Sequence, residues 1–126
     1  MEINIPEIVA EVTAAFERYE KALTANDVEA LDAVFWKDPR VIRYSLMDNA
    51  YGFKAVHASR LARPKTDLTR TLGKTVITTF GRDLATANTE FQRVESGRRG
   101  RQSQTWVRMP EGWRVVSAHV SSLPTP

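Results

Sequence analysis

The sequence contains no cysteine. That absence removes disulfide staples, a thiolate nucleophile and every cysteine-ligated metal site from consideration. Histidine is almost as scarce: His57 and His119 stand far apart in the chain, with no Asp or Glu at ligand spacing, so no metal is expected. No G-x-S-x-G elbow, P-loop or dinucleotide fingerprint occurs, and no cofactor is expected either. Long apolar runs are missing as well, none approaching the ~18 residues of a membrane span. The start, MEINIPEIVAEV, is acidic and lacks the basic segment of an export signal. A cytoplasmic protein without membrane attachment is the expectation. Length leaves no room for a second domain, because 126 residues fill one unit of the usual ~100–200.

What is present is ordinary for a globular chain. Hydrophobic residues make up 42% and charged residues 26%, which excludes a disordered chain, a collagen repeat or a coiled-coil rod. Charge is unevenly spread: residues 1–50 hold 5 basic and 10 acidic side chains, and residues 51–126 hold 13 basic and 5 acidic. The basic half is mostly arginine. Its densest stretch, Arg98, Arg99 and Arg101, lies in a Ser/Gly-containing segment that reads as a hairpin turn, without any helix-turn-helix, zinc-finger or RNA-binding signature. Nucleic acid is therefore not an expected partner. A solvated loop, a subunit contact and attraction of small anions stay open.

Apolar residues at three- and four-residue steps, from Ile5 through Val12, Phe16 and Tyr19 to Leu23, predict a first helix over 5–23 with one buried stripe. A second helix, 27–36, begins at an Asn26 or Asp27 cap and is stopped by Asp38-Pro39. Strand-like RVIRYSL (40–46), a turn at Met47-Asp48-Asn49 and Ala50-Tyr51-Gly52 predict a hairpin. A third helix, 53–63, ends at Pro64. Residues 70–80, 84–93, 100–108 and 113–122 are rich in Thr, Val, Ile and aromatics with turn residues between them, and predict an antiparallel meander. The fold class is thus α+β, with helices covering one face of the sheet.

Strand parity assigns that face. Ala85, Ala87, Thr89 and Phe91 should point at the helices, as should Val116, Ala118 and Val120. Trp113, Val115 and His119 then fall on the opposite face, and a mixed aromatic surface of that kind predicts a homodimer.

Helix, helix, hairpin, helix and four strands ending in TWVRMPEGWRVVSAHVS resembles the SnoaL-like branch of the nuclear transport factor 2-like superfamily, cone-shaped α+β domains with a pocket between helices and sheet. More narrowly, AEVTAAFERYEKALTANDVEALDAVFW, VIRY followed by NAYG, and TVITTFGRDLATANTEF with GRQSQTWVRMPEGWRVVSAHVS are similar to the AtzH-like family, which includes HpxZ-type proteins of oxalurate catabolism. The resemblance implies a small cofactor-free enzyme of nitrogen-compound catabolism, an amidohydrolase or decarboxylating lyase on a carboxylated urea such as dicarboxyurea. It equally admits a non-catalytic binding or accessory module that partners an amidase. The fold alone does not choose between them.

Five residues are candidates for the site. Tyr19 lies on the inner stripe of the first helix, either as a core tyrosine or as a proton-handling hydroxyl. Arg43 sits in VIRY, where parity leaves its direction open; turned inward, it would clamp a carboxylate and steady charge on a carbonyl oxygen. Gln102 and Gln104 share strand parity with Trp106, so a glutamine amide, Gln104 being preferred, goes in with the indole, as a structural bridge or as a reader of substrate C=O and N–H groups. Phe91 and Trp106 would supply apolar walls. The expected ligand is a small anion.

Overall fold

The computed structural model of the chain describes residues 1–124. Helix α1 (Pro6–Thr24) starts at a proline, whose missing N–H suits the first turn, and buries Ile8, Val12, Ala15, Phe16, Tyr19, Ala22 and Leu23 on one stripe. Helix α2 (Val28–Val34) is capped by Asp27, whose carboxylate accepts the Ala30 N–H at 3.1 Å. Strands β1 (Ile42–Tyr44) and β2 (Asn49–Tyr51) form the hairpin, and α3 (Phe53–Ala62) follows. The meander consists of β3 (Arg70–Phe80), β4 (Leu84–Arg93), β5 (Arg99–Met109) and β6 (Gly112–Ser122).

All six strands join one sheet in the order β2-β1-β6-β5-β4-β3. The meander is antiparallel throughout, but β1 meets β6 in parallel, pairing Ile42 with Ser117 and Arg43 with Ala118. That parallel junction was not foreseen from the sequence pattern. It settles the direction of Arg43, because its partners Ala50 and Ala118 are both buried on the helix side.

One expectation about the sheet is overturned. Thr105 pairs with Ser117 and Trp106 with Val115, so Val116 is an extra residue in β6. Such a bulge reverses the in-out alternation on either side of it. Trp113 and Val115 therefore point into the core, 7% and 0% exposed, together with Ala118 beyond the bulge. The dimer patch predicted on Trp113, Val115 and His119 does not exist as a surface. Of the three only His119 is on the outer face, edge-on to Tyr44 with ring centroids 5.3 Å apart.

The inner face of the sheet thus has two ends. At one end Trp106, Trp113 and Val115 pack against Ile8 and Val12 in a filled core, and the Trp113 indole N–H donates to Glu11 at 2.9 Å. At the other end the helices and sheet diverge.

Candidate active site

Between them lies a cavity of about 860 Å³, lined from α1 by Tyr19 and Leu23, from the segment after α2 by Phe35, from the hairpin by Arg43, Ser45 and Asp48, from α3 by Ser59, and from the sheet by Gln102, Ala118 and Val120. Tyr19 is one turn before Leu23 on the buried stripe of α1, so the same periodicity that packs the helix aims its ring inward.

The Tyr19 hydroxyl donates to Gln102 Oε1 at 3.1 Å. The same oxygen accepts from Arg70 Nη2 at 3.2 Å, while Arg70 also grips Glu20 with both ends of its fork, at 2.9 and 2.7 Å. This Glu20–Arg70–Gln102–Tyr19 chain is nearly dry: Tyr19 is 6% exposed, Arg70 7% and Gln102 2%. Burial opposes the charge on Arg70, but the Glu20 hydrogen bonds prevail and hold its pKa above the ordinary value.

Five arginines line the cavity: Arg43, Arg63, Arg70, Arg93 and Arg98. Only Arg70 has a carboxylate within ion-pair distance among the described residues. Arg43 donates to Ser59 Oγ at 3.4 Å, Arg63 to the side-chain oxygen of Asn26 at 2.8 Å, and Arg93 to the carbonyls of Asp67 and Leu68 at 3.3 and 3.4 Å. These cations feel one another. Burial lowers the pKa of Arg63 and the charge of Arg43 lowers it further; burial and then Arg70 do the same to Arg93. Arg63 and Arg93 stay protonated at neutral pH all the same, since a guanidinium gives up its proton only far above it.

The two aspartates of the lining relieve this crowding only in part, Asp67 favouring the charge on Arg93 and Asp48 interacting with Arg43 without either coming within ion-pair distance. Asp48 is held below the usual carboxylate range by hydrogen bonds from the hydroxyls of Ser45, 2.7 Å away, and Ser59, 3.1 Å away, with Arg43 adding to the effect. Asp67 is held low by Ser96 and, more weakly, by Arg93. Both are anions already occupied by other donors. The cavity is a positive, hydrogen-bond-donating vessel.

Of the residues singled out from the sequence, Tyr19 and Arg43 share this cavity and three others do not line it. Gln104 lies two residues further along β5, where its Oε1 accepts the Trp106 indole N–H at 3.1 Å, and both are buried in the filled end. Phe91 is a platform for cations: the guanidiniums of Arg70 and Arg93 sit 4.5 and 5.0 Å from its ring centroid. Its ring also covers Gly100, where a Cβ would strike both the ring and the Ser121 carbonyl, the latter at 2.6 Å. The glutamine that lines the cavity is Gln102.

Sequence reading also missed Arg63, Arg70 and Arg93, and it left Arg98 open between a solvated loop, a subunit contact and attraction of small anions. The arginine excess after residue 50 was the available signal. What converts it into a site is register: Arg70 on β3 lies directly opposite Arg93 on β4. A further cluster stands outside the cavity lining, where Asp32 accepts from Arg60 at 2.6 Å and contacts His57 Nδ1 at 2.5 Å, tying α2 to α3. Burial, with a contribution from Arg43, lowers the Arg60 pKa to about 10.

Helices laid over a curved, unclosed sheet with a cavity between them define an α+β protein of the nuclear transport factor 2-like, cystatin-like fold. Within that class the chain belongs to the AtzH-like family, whose model it matches over residues 1–126. Among solved structures it is similar to a protein with unknown function from the DUF3225 family of Pectobacterium atrosepticum, at 56% identity over 97% of this chain and 95% of that one, with a TM-score of 0.94. A cystatin-like fold protein of Burkholderia xenovorans is 46% identical over 100% and 99% of the two chains, also with a TM-score of 0.94. More distantly, a nuclear transport factor 2-like superfamily protein of Salmonella enterica serovar Typhimurium shares the fold at 22% identity, covering 94% and 93%, with a TM-score of 0.74. No curated protein matches the chain. Among the described residues no helix is long and apolar enough to cross a membrane.

Proposed function

We propose that the cavity is the active site of a small enzyme that breaks a C–N bond in a carboxylated urea derivative such as 1,3-dicarboxyurea. The observation that carries this reading is the set of four cavity arginines, Arg43, Arg63, Arg93 and Arg98, that have no carboxylate partner among the described residues. Guanidiniums crowded at a partly buried site are stabilised by anions from outside, and their planar forks fit carboxylates. Arg43, carried on β1 and lining the same cavity as Tyr19, clamps one carboxylate; Arg63, Arg93 and Arg98 hold the remaining charge. Neither His57 nor His119 lines the cavity, so no imidazole stands ready to activate a hydroxyl or water.

A decarboxylative route needs no nucleophile. The bond between nitrogen and the carboxylate carbon breaks, carbon dioxide leaves, and the nitrogen takes one proton. Tyr19 is the donor: rotation about its C–O bond swings the proton from Gln102 to the substrate without moving a heavy atom, and solvent restores it. Purified protein incubated with 1,3-dicarboxyurea, allophanate and oxalurate, with carbon dioxide and ammonia followed separately, tests the proposal. Carbon dioxide release from the dicarboxylated compound, lost in Arg43→Ala, is the expected result. No turnover of any of the three would overturn it.

A further inference from the structure

Among the described residues four buried side-chain atoms have no hydrogen-bond partner: Arg63 Nε, Thr79 Oγ1, Gln102 Nε2 and Gln104 Nε2. Two of the four belong to residues lining the cavity, and both are donors. A buried N–H left without an acceptor is unfavourable and rare in folded proteins, so two in one cavity invite an explanation.

For Gln102 the orientation of the amide is fixed. Oε1 receives two donors, the Tyr19 hydroxyl at 3.1 Å and Arg70 Nη2 at 3.2 Å. Turning the amide over would set its NH2 group against Arg70 Nη2, a donor that cannot accept, whereas the Tyr19 hydroxyl could do either. Nε2 is therefore committed to donating, on a side chain 2% exposed, with no acceptor among the described residues. Arg70 is in turn immobilised by Glu20 and by the Phe91 ring. The donor is preorganised in the manner expected of a group that recognises an oxygen atom.

We infer that Gln102 is a specificity-determining residue: its Nε2 donates to the carbonyl oxygen lying between the two carboxylates of the substrate, while the unpaired arginines hold the carboxylates. This assignment rests on the proposed function above. It separates two kinds of diacid that arginines alone would treat alike, those with and those without a central carbonyl, because a site built to hydrogen-bond an oxygen discriminates against the analogue lacking it.

The test uses 3-oxoglutarate and glutarate, which have the same chain length and differ by that carbonyl. Calorimetric titration of the wild-type protein should show 3-oxoglutarate binding roughly tenfold more tightly than glutarate, the worth of one hydrogen bond. In Gln102→Met the ratio should fall to about one with glutarate affinity nearly unchanged, whereas Arg43→Ala should weaken both diacids alike. Gln102→Glu keeps an acceptor for Tyr19 and Arg70 but puts a charged oxygen in place of the donor, so it should weaken both diacids by repulsion and also lose the preference, and the ratio read in it serves if the methionine variant does not fold. A preference that survives in either folded variant overturns the role of Gln102 and leaves the active-site proposal standing. Failure of the wild type to bind either diacid overturns that proposal, and the inference with it.

Discussion

The two ends of the sheet's inner face are built from the same strands and the same first helix, yet they are made of opposite materials. At one end Trp106, Trp113, Val115, Ile8 and Val12 fill all the space. At the other, four residues away along β5 and two turns further along α1, Gln102 and Tyr19 face a cavity ringed by arginines. The Val116 bulge lies between them in β6 and lets Trp113 and Ala118 face the same side from positions of opposite parity. The arginines repeat the contrast. Arg60 and Arg70, both buried, are paired with Asp32 and Glu20, and hold elements together. Arg43, Arg63, Arg93 and Arg98 line the cavity and lack such partners among the described residues. A buried cation with its own carboxylate is architecture, whereas a cluster without one is a receptor.

Substitutions within one end should leave the other alone. Trp106→Ala should cost about 3–5 kcal/mol in urea denaturation, because a fully buried indole leaves a cavity behind. Turnover per folded molecule should barely change. Arg43→Ala should do the reverse, lowering kcat/KM by roughly 10²–10³ with stability within about 0.5 kcal/mol of wild type. Arg43→Lys should recover little, since a point charge does not reproduce the two-pronged contact. Tyr19→Phe should lower kcat more than it raises KM, for the hydroxyl acts on the proton and the arginines do the binding.

The smallest effect concerns pH. Asp48 has a folded-state pKa below its unfolded value, because Ser45, Ser59 and Arg43 favour the anion. Its contribution to stability is therefore complete above about pH 4, the unfolded value, and is lost as pH falls through the folded one. Melting curves between pH 5 and pH 2 should show slightly less acid destabilisation in Asp48→Asn than in wild type.

Much of the fold could be read from the sequence because period and turn chemistry speak locally. The helical stripe from Ile8 to Leu23, the Asp27 cap and the inward set Ala85, Ala87, Thr89 and Phe91 all followed from spacing. Trp113 and Val115 were misplaced because parity assumes an unbroken ladder, and nothing in VRMPEGWRVVSAHVS marks Val116 as the extra residue. Gln104 was preferred to Gln102 for a related reason. The two share a face, and only their distance along the strand, about 7 Å, decides which reaches the cavity. Where the helix crosses the sheet is a tertiary fact. The convergence of Arg63, Arg70, Arg93 and Arg98 is another, since it depends on strand register and on where the chain after α3 runs.

The division of labour between the two ends can be measured directly by ligand-induced stabilisation. A ligand at one hundred times its dissociation constant adds about 2.7 kcal/mol to the free energy of unfolding. Urea denaturation of wild type, Trp106→Ala and Arg43→Ala, each with and without 3-oxoglutarate at that multiple of the wild-type constant, should give the full increment in wild type and in Trp106→Ala, however unstable the latter is. Arg43→Ala should show little or none. An increment that vanishes in Trp106→Ala and persists in Arg43→Ala would contradict the account.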